Sequence, residues 1–435
     1  MIFHIHGRVK DCLVSAFICF LVVCPFVKPW AQNTDTLVLS IPAAEKIFLQ
    51  KNLSLLAAKY NIDANEALIT QAKLWQNPEL STEQNIYEDR GGFFAHNKTY
   101  GQVFVQLSQL IETAGKRSKL AKLSEDNTKL ARAQFNDILR SLHYTLVNDM
   151  LEINRLLTTK KLYDDEITEM KKLVAGMDVQ LNAGNISLKD LTRLKALLFG
   201  LQNDVAEIRS ELIPIQQELK LLLQNTDDSF IKPGLGFQLQ NLVAMNLPYR
   251  QMLIDSAKAL RPDAAIDAAI LDYNNHNLVY QKALAKPNVT LGLNYDQRSN
   301  YADNYVGFQI GLPLPLLNRN QGNIRSAQWQ VKQQQATVEQ TGDRIANEVV
   351  SAINKVKLYQ EINNKQQLDF SNQYDFLFGN MVNSFQQRQV NMLEFVDFID
   401  NYKDTRLKLI DQQTQLLNAI ADLNYTVNKT VIPVD

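Results

Sequence analysis

The chain has 435 residues, of which 46% are hydrophobic, and it carries 45 basic against 46 acidic side chains. A net charge of −1 offers no basic surface of the kind that binds nucleic acid, so we expect no nucleic-acid partner. Only 16 glycines in a chain of this length are typical of a helix-rich protein.

The amino terminus has the pattern of an export signal. Arg8 and Lys10 precede an apolar run, Cys12–Val23, of signal-peptide length. We predict a cleaved signal peptide over residues 1–31. Two alternatives stay open: a retained anchor, although the run is short for a membrane span, and lipidation at Cys24. All three cysteines lie in this segment, so the exported chain is expected to have neither disulfides nor cysteine-ligated metal.

The rest of the chain contains a tandem repeat. Lys73–Pro78 precedes a strand-like stretch, and so does Lys282–Pro287, with 209 positions between the two prolines. Repeats of this kind override the domain count that length alone suggests. We divide the chain into a first repeat, a connecting segment, a second repeat and a tail, at residues 32–226, 227–247, 248–430 and 431–435.

Each repeat contains a predicted β-hairpin, at about residues 78–110 and 287–313. In the second hairpin, Val289, Leu291 and Leu293 alternate with polar or small residues, and the first hairpin repeats the pattern. Such strands suit either a core in water or an outer membrane, where the apolar face meets lipid and the polar face lines a lumen. Because four strands do not close a barrel, the membrane interpretation requires an oligomer.

Long helices follow both hairpins. Apolar residues recur in steps of three and four from Leu120 to Leu157, a pattern typical of a coiled coil. The proline-free run Lys116–Asp178 predicts one helix of roughly 90 Å, and its counterpart covers about Asn323–Ser384. Shorter return helices complete two long antiparallel helical hairpins, at about residues 116–226 and 320–430: Leu188–Gln224 and Met392–Asn428.

The order of these elements resembles the TolC family of outer-membrane channel proteins over nearly all of the mature chain. The likeness includes the proline-initiated strands, the segment Pro313–Gly322 that closes the second β-hairpin, and the matching helical tips. Gln109–Arg117 resembles the corresponding turn in the CzcC-like, cation-efflux branch.

The resemblance implies a mainly α fold with a small β part. It consists of tandem long antiparallel helical hairpins plus four transmembrane β-strands per subunit. As a homotrimer the subunits would complete a 12-stranded barrel in outer-membrane lipid, continued by a periplasmic α-helical tunnel. The tunnel entrance would dock on a periplasmic adaptor (membrane fusion) protein and an inner-membrane pump of the RND type.

The resemblance also implies site residues. The tips that contact the adaptor fall on Ala183, Gly184, Asn185 and Ile186, and on Gln387, Arg388, Gln389 and Val390. Arg388 stands where the family usually has glycine. Acidic residues that narrow the entrance fall on Glu394 and Asp397, which share a helix face, so threefold symmetry would stack two carboxylate rings. Asp190 and Arg193 are their expected partners; two merely solvated carboxylates remain the alternative.

No residues are spaced for catalysis, so we predict that the chain is not an enzyme and binds no cofactor. The three histidines outside the signal segment, His96, His143 and His276, lie far apart, and we expect no metal site. The sequence therefore predicts the outer-membrane channel of a tripartite efflux system, conducting substrates passively, with heavy-metal cations among the candidate cargoes. The alternatives are a duct for type I protein secretion and a soluble periplasmic coiled-coil scaffold.

Overall fold

The computed structural model describes residues 36–97 and 99–433, and the predicted signal peptide lies outside them. Ten α-helices occur in these ranges: α1 Ile41–Lys51, α2 Leu53–Lys73, α3 Lys116–Asn182, α4 Leu188–Leu223, α5 Leu239–Ala244, α6 Arg250–Leu260, α7 Pro262–Leu284, α8 Gln321–Ile362, α9 Lys365–Gln386 and α10 Met392–Val427. The strands of the same ranges are β1 Thr36–Leu39, β2 Glu79–Gln84, β3 Tyr87–Glu88, β4 Gly92–Phe93, β5 Val103–Ile111, β6 Phe230–Pro233, β7 Val289–Arg298 and β8 Asp303–Gly311. No helix among the residues described is both long and apolar enough to cross a membrane.

The first helical hairpin is formed by α3, a continuous helix of 67 residues, and α4. Its predicted apolar stripe is buried where α3 packs on α4 and α10, since Leu146, Met150 and Ile153 are fully buried. Leu120 and Ile138 of the same stripe remain partly exposed. The core therefore follows the length of the helices rather than a globular centre.

The second helical hairpin is interrupted. Helix α8 ends at Ile362, and α9 begins after Asn364, whose side chain accepts a hydrogen bond from Gln367 N at 3.0 Å. Asn363 is 2% exposed and donates to Gln412 O at 3.0 Å. The prediction of one helix over Asn323–Ser384 is wrong, because asparagine side chains offer the backbone alternative hydrogen bonds.

Both repeats break their first helix at a polar residue that contacts the last turn of the return helix. Asn52, between α1 and α2, donates from Nδ2 to Leu222 O at 3.0 Å. Arg261, between α6 and α7, donates from Nη1 to Thr426 O at 3.4 Å. The donors are 209 residues apart and the acceptors 204 apart, the same offsets as the prolines before the strands and the helical tips. The two halves are therefore built on the same internal contact.

A four-stranded antiparallel sheet in the order β2-β5-β7-β8 brings the two β-hairpins together. The central pair, β5 and β7, comes from different repeats and runs from Phe104 opposite Asp296 to Ile111 opposite Val289. Strands β2 and β8 form the edges. Two smaller pairs, β1 with β6 and β3 with β4, complete the strands of the described ranges.

Candidate channel-forming surfaces

One face of the four-stranded sheet is polar. Gln106 lies opposite Asn294, and Asn294 lies opposite Gly307, so the three residues share this face. Gln106 Nε2 donates to Gln309 Oε1 at 3.1 Å across Gly292, which has no side chain to separate them. The register adds Glu79, Ser81 and Glu83 of β2. This surface can face water.

The other face of the sheet is apolar and uncovered in the single chain. Leu107, Leu293 and Phe308 lie opposite one another across three strands and are 48%, 56% and 64% exposed. Leu80, Val306 and Ile310 extend the same exposed band. Soluble monomers rarely expose a contiguous apolar band, whereas a lipid-facing strand needs one.

The first helical tip ends α3 with a left-handed residue. Gly184 has φ 75°, and Asn185 N donates to Gln180 O at 2.9 Å, the hydrogen-bond pattern of a Schellman turn. Ala183 is the C-cap residue, and Ile186 is half-buried before the cap of α4. Glycine takes this backbone without strain. The prediction that Gly184 ends the outgoing helix is confirmed.

The second tip has the same backbone without a glycine. Arg388 has φ 60°, and Gln389 N donates to Ser384 O at 2.9 Å. Gln387 caps α9, and Val390 packs against the main core. A left-handed arginine costs about 1 kcal/mol relative to glycine. The departure from the family pattern therefore leaves the turn unchanged but adds strain.

A hydrogen bond joins the two tips of the same subunit. Arg388 Nη2 donates to Gln180 Oε1 at 2.9 Å, and Asn185 Nδ2 donates to the same oxygen at 2.9 Å. Sequence reasoning missed this contact, because the two side chains are 208 residues apart. The tips are thus held as one surface.

Glu394 and Asp397 are both exposed near the start of α10. Glu394 also has a local role that sequence reasoning missed. Its Oε2 accepts from Asn391 N at 3.4 Å, while Asn391 Oδ1 accepts from Glu394 N at 3.0 Å, which together form a capping box. The spacing of three residues between Asn391 and Glu394 is the sequence pattern that indicates a capping box. The carboxylate of Asp397 has no hydrogen bond or ion pair within the described chain.

Asp190 and Arg193 lie at the start of α4. Asp190 Oδ2 accepts from the Ser187 hydroxyl at 2.7 Å, so this carboxylate is engaged in capping its own helix. No hydrogen bond or ion pair between described residues joins Asp190 or Arg193 to Glu394 or Asp397. Their partnership across the entrance stays a prediction.

The comparison with known families decides the family of this chain. The family described as "Outer membrane efflux protein" matches residues 46–224 and 253–428. The chain belongs to this family. Outer membrane efflux proteins are transport ducts rather than enzymes, act as homotrimers, and form the outer part of three-part systems with an adaptor and an RND pump. The predictions of an efflux channel and of an outer-membrane location are confirmed at this level.

Individual members of the outer membrane efflux family are distant. The cobalt-zinc-cadmium resistance protein CzcC of Cupriavidus metallidurans is 24% identical over 289 residues, which span 66% of each chain, just under two thirds. The crystal structure of CusC superposes with a TM-score of 0.71 at 17% identity, covering 92% of this chain and 95% of CusC. The CmeC outer membrane channel of Campylobacter jejuni has a TM-score of 0.71 at 12% identity, covering 91% and 87%. The predicted fold class is confirmed.

Proposed function

We propose that this chain is the outer-membrane duct of a tripartite cation-efflux system and conducts its substrate passively. The observation that carries the proposal is the four-stranded sheet with one polar face, one exposed apolar face and two open edges. Since neighbouring strands alternate in direction, β8 of one subunit can pair antiparallel with β2 of the next. Three copies of this sheet would close a 12-stranded barrel.

Heavy-metal cations are the cargo that the observations favour. The most informative relative is named for cobalt, zinc and cadmium resistance. The polar face of the sheet carries Glu79, Glu83 and Asp296, and the predicted tunnel entrance carries Glu394 and Asp397. Carboxylates on the walls of a pore attract cations and repel anions. A duct for protein secretion has no comparable support, and the soluble scaffold does not fit the outer-membrane family.

The tips are the proposed contact with the adaptor. Both tips are exposed, share the same Schellman backbone, and are joined through Arg388 and Gln180. A surface that is held by backbone hydrogen bonds is preorganised for docking, which lowers the entropic cost of binding. The three subunits of a trimer would together present this pair of tips three times around the entrance. The chain itself is proposed to carry out no chemistry.

The test combines extraction, assembly and conductance. The protein should require detergent for extraction from the outer membrane and migrate as a trimer. In planar bilayers it should give discrete channels that prefer cations. Cells that lack it should accumulate zinc or cobalt but exclude a dye as before. A water-soluble species without conductance would contradict the duct, and accumulation of the dye alone would contradict the metal cargo.

A further inference from the structure

A carboxyl group is buried between the two helical hairpins without a partner. Glu166, on α3, is 1% exposed, and neither of its carboxylate oxygens has a hydrogen-bond partner in the described structure. It precedes the end of α3 by 16 residues, so it lies roughly 24 Å from the tip. A buried carboxyl with no partner is favoured as the neutral acid.

Charged groups of both signs face this carboxyl. Lys403 and Arg406 approach from α10 and favour ionisation, whereas Asp204 on α4 and Asp165 on α3 oppose it. Burial is the largest influence, and it raises the pKa of Glu166 to about 8. The carboxyl therefore keeps its proton in the packed arrangement at neutral pH.

The two cations are engaged elsewhere. Lys403 Nζ lies 3.9 Å from Asp204 Oδ2, on the first hairpin. Arg406 Nη1 donates to Ser371 Oγ at 2.7 Å, and its Nε lies 3.0 Å from Asp375 Oδ1, both on α9. Lys403 is therefore paired with Asp204 and Arg406 with Asp375. Neither cation forms an ion pair with Glu166 in this arrangement. A shift of α10 along or away from α3 would change these pairings.

The remaining titratable neighbours stay neutral or solvated over the same pH range. Burial raises the pKa of the Tyr163 and Tyr402 phenols far above neutral, and the Tyr402 hydroxyl donates to Asp375 Oδ1 at 2.9 Å. Asp404 on α10 and Glu207 on α4 face Tyr163 and are exposed. Glu166 is thus the buried group of this junction whose charge changes near neutral pH.

We infer that Glu166 is a proton-binding site that couples the packing of the two helical hairpins, and hence opening of the tunnel, to pH. The neutral acid keeps α10 packed on α3. After loss of the proton, a displaced α10 is favoured, in which Lys403 or Arg406 pairs with the carboxylate. The inference rests on the proposed function, since opening matters only in a duct.

The direction in which pH changes the packing follows from the raised pKa of Glu166. A carboxyl whose pKa is raised in the packed state binds more protons there than in the open state, where it is solvated or paired. The packed state is therefore fully favoured on the acid side and loses its advantage as pH rises from the ordinary glutamate pKa of 4.5 towards about 8. One linked proton changes the open-to-closed ratio by at most about tenfold per pH unit.

Bilayer recordings of the trimer test this coupling. Wild type, Glu166→Gln and Glu169→Gln are compared between about pH 5.5 and pH 8.5, which covers most of the range over which the linked proton is lost. Glu169 is a matched control, because it lies three residues further on the same helix, partly exposed and 2.7 Å from Lys172 Nζ. Open probability should rise with pH in wild type and in the control, by up to about tenfold per unit. Glu166→Gln should stay at the low-pH value throughout.

Measuring the distance between α3 and α10 tests the coupling without relying on conductance. Spin labels on Thr168→Cys of α3 and Lys408→Cys of α10, both exposed positions, should separate as pH rises, and this change should vanish with Glu166→Gln. If the channels form but Glu166→Gln keeps the wild-type pH dependence, the coupling is wrong and the duct stands. If no channels form at any pH, the duct is wrong, and the label distances still decide the coupling.

Discussion

The two helical hairpins of this chain have the same tip but different outgoing helices. In the first, α3 runs for 67 residues without a break and buries most of its apolar stripe. In the second, the same path is divided at Asn363 and Asn364, and α9 exposes large apolar side chains such as Phe376 and Leu377. The same turn can therefore end a continuous helix or an interrupted one. The difference shows that α9 is a separate helix, whereas the matching stretch of the first hairpin belongs to α3.

The largest difference in the free energy of unfolding is expected between core substitutions in the two helical hairpins. Met150→Ala on α3 removes a side chain that is fully buried, and we expect a loss of about 3 kcal/mol in the free energy of unfolding. Leu377→Ala on α9, where the side chain is 43% exposed, should cost less than about 1 kcal/mol. Denaturant unfolding of detergent-solubilised protein measures both. Equal losses would contradict the proposed difference in packing between the hairpins.

The next test concerns the two asparagines at the break between α8 and α9. Asn363→Ala removes buried hydrogen bonds to Tyr359 O and Gln412 O, and should reduce stability by about 2 kcal/mol. Asn364→Ala, which removes the cap of α9 and an exposed hydrogen bond to Glu361 O, should cost about 1 kcal/mol. A stabilised Asn363→Ala variant with more helix by circular dichroism would mean that α8 and α9 are separated by little more than local preference.

The two tips provide a matched pair. In Gly184→Leu the added Cβ meets no atom within 4 Å, but the side chain stands at φ 75°, so the change should cost about 1 kcal/mol. Arg388→Gly should be close to neutral, because relief of the same strain offsets the loss of the hydrogen bond to Gln180. Both variants should weaken adaptor crosslinking more than they weaken folding. Unchanged crosslinking in both would show that the tip assignment is wrong.

The smallest effect is expected at the entrance carboxylates, because both are exposed and screened by salt. Glu394→Gln with Asp397→Asn removes the charges, yet glutamine can still complete the capping box. Leakage in bilayers should rise about twofold, with unchanged stability. Glu394→Ala is the control that also loses the cap. If the double amide variant gives wild-type currents, the two carboxylates do not narrow the entrance.

Local patterns in the sequence determined most of the elements. Alternation around Val289–Leu293 predicts strands, steps of three and four along α3 predict a helix, and Gly184 predicts its end. These properties are readable because they depend on neighbours in the chain. The tandem order of such elements was enough to indicate the family. The capping role of Glu394 was equally local, and its signal at Asn391 was present in the sequence.

Tertiary structure alone decided the rest. The pairing of β5 with β7, the bond from Arg388 to Gln180 and the burial of Glu166 each join segments that lie far apart in the chain. The break at Asn363 has no proline or glycine to announce it, and its asparagine is stabilised by a carbonyl on α10. Periodicity reports which side of an element is apolar, but the partner of that side depends on long-range packing, which no local pattern contains.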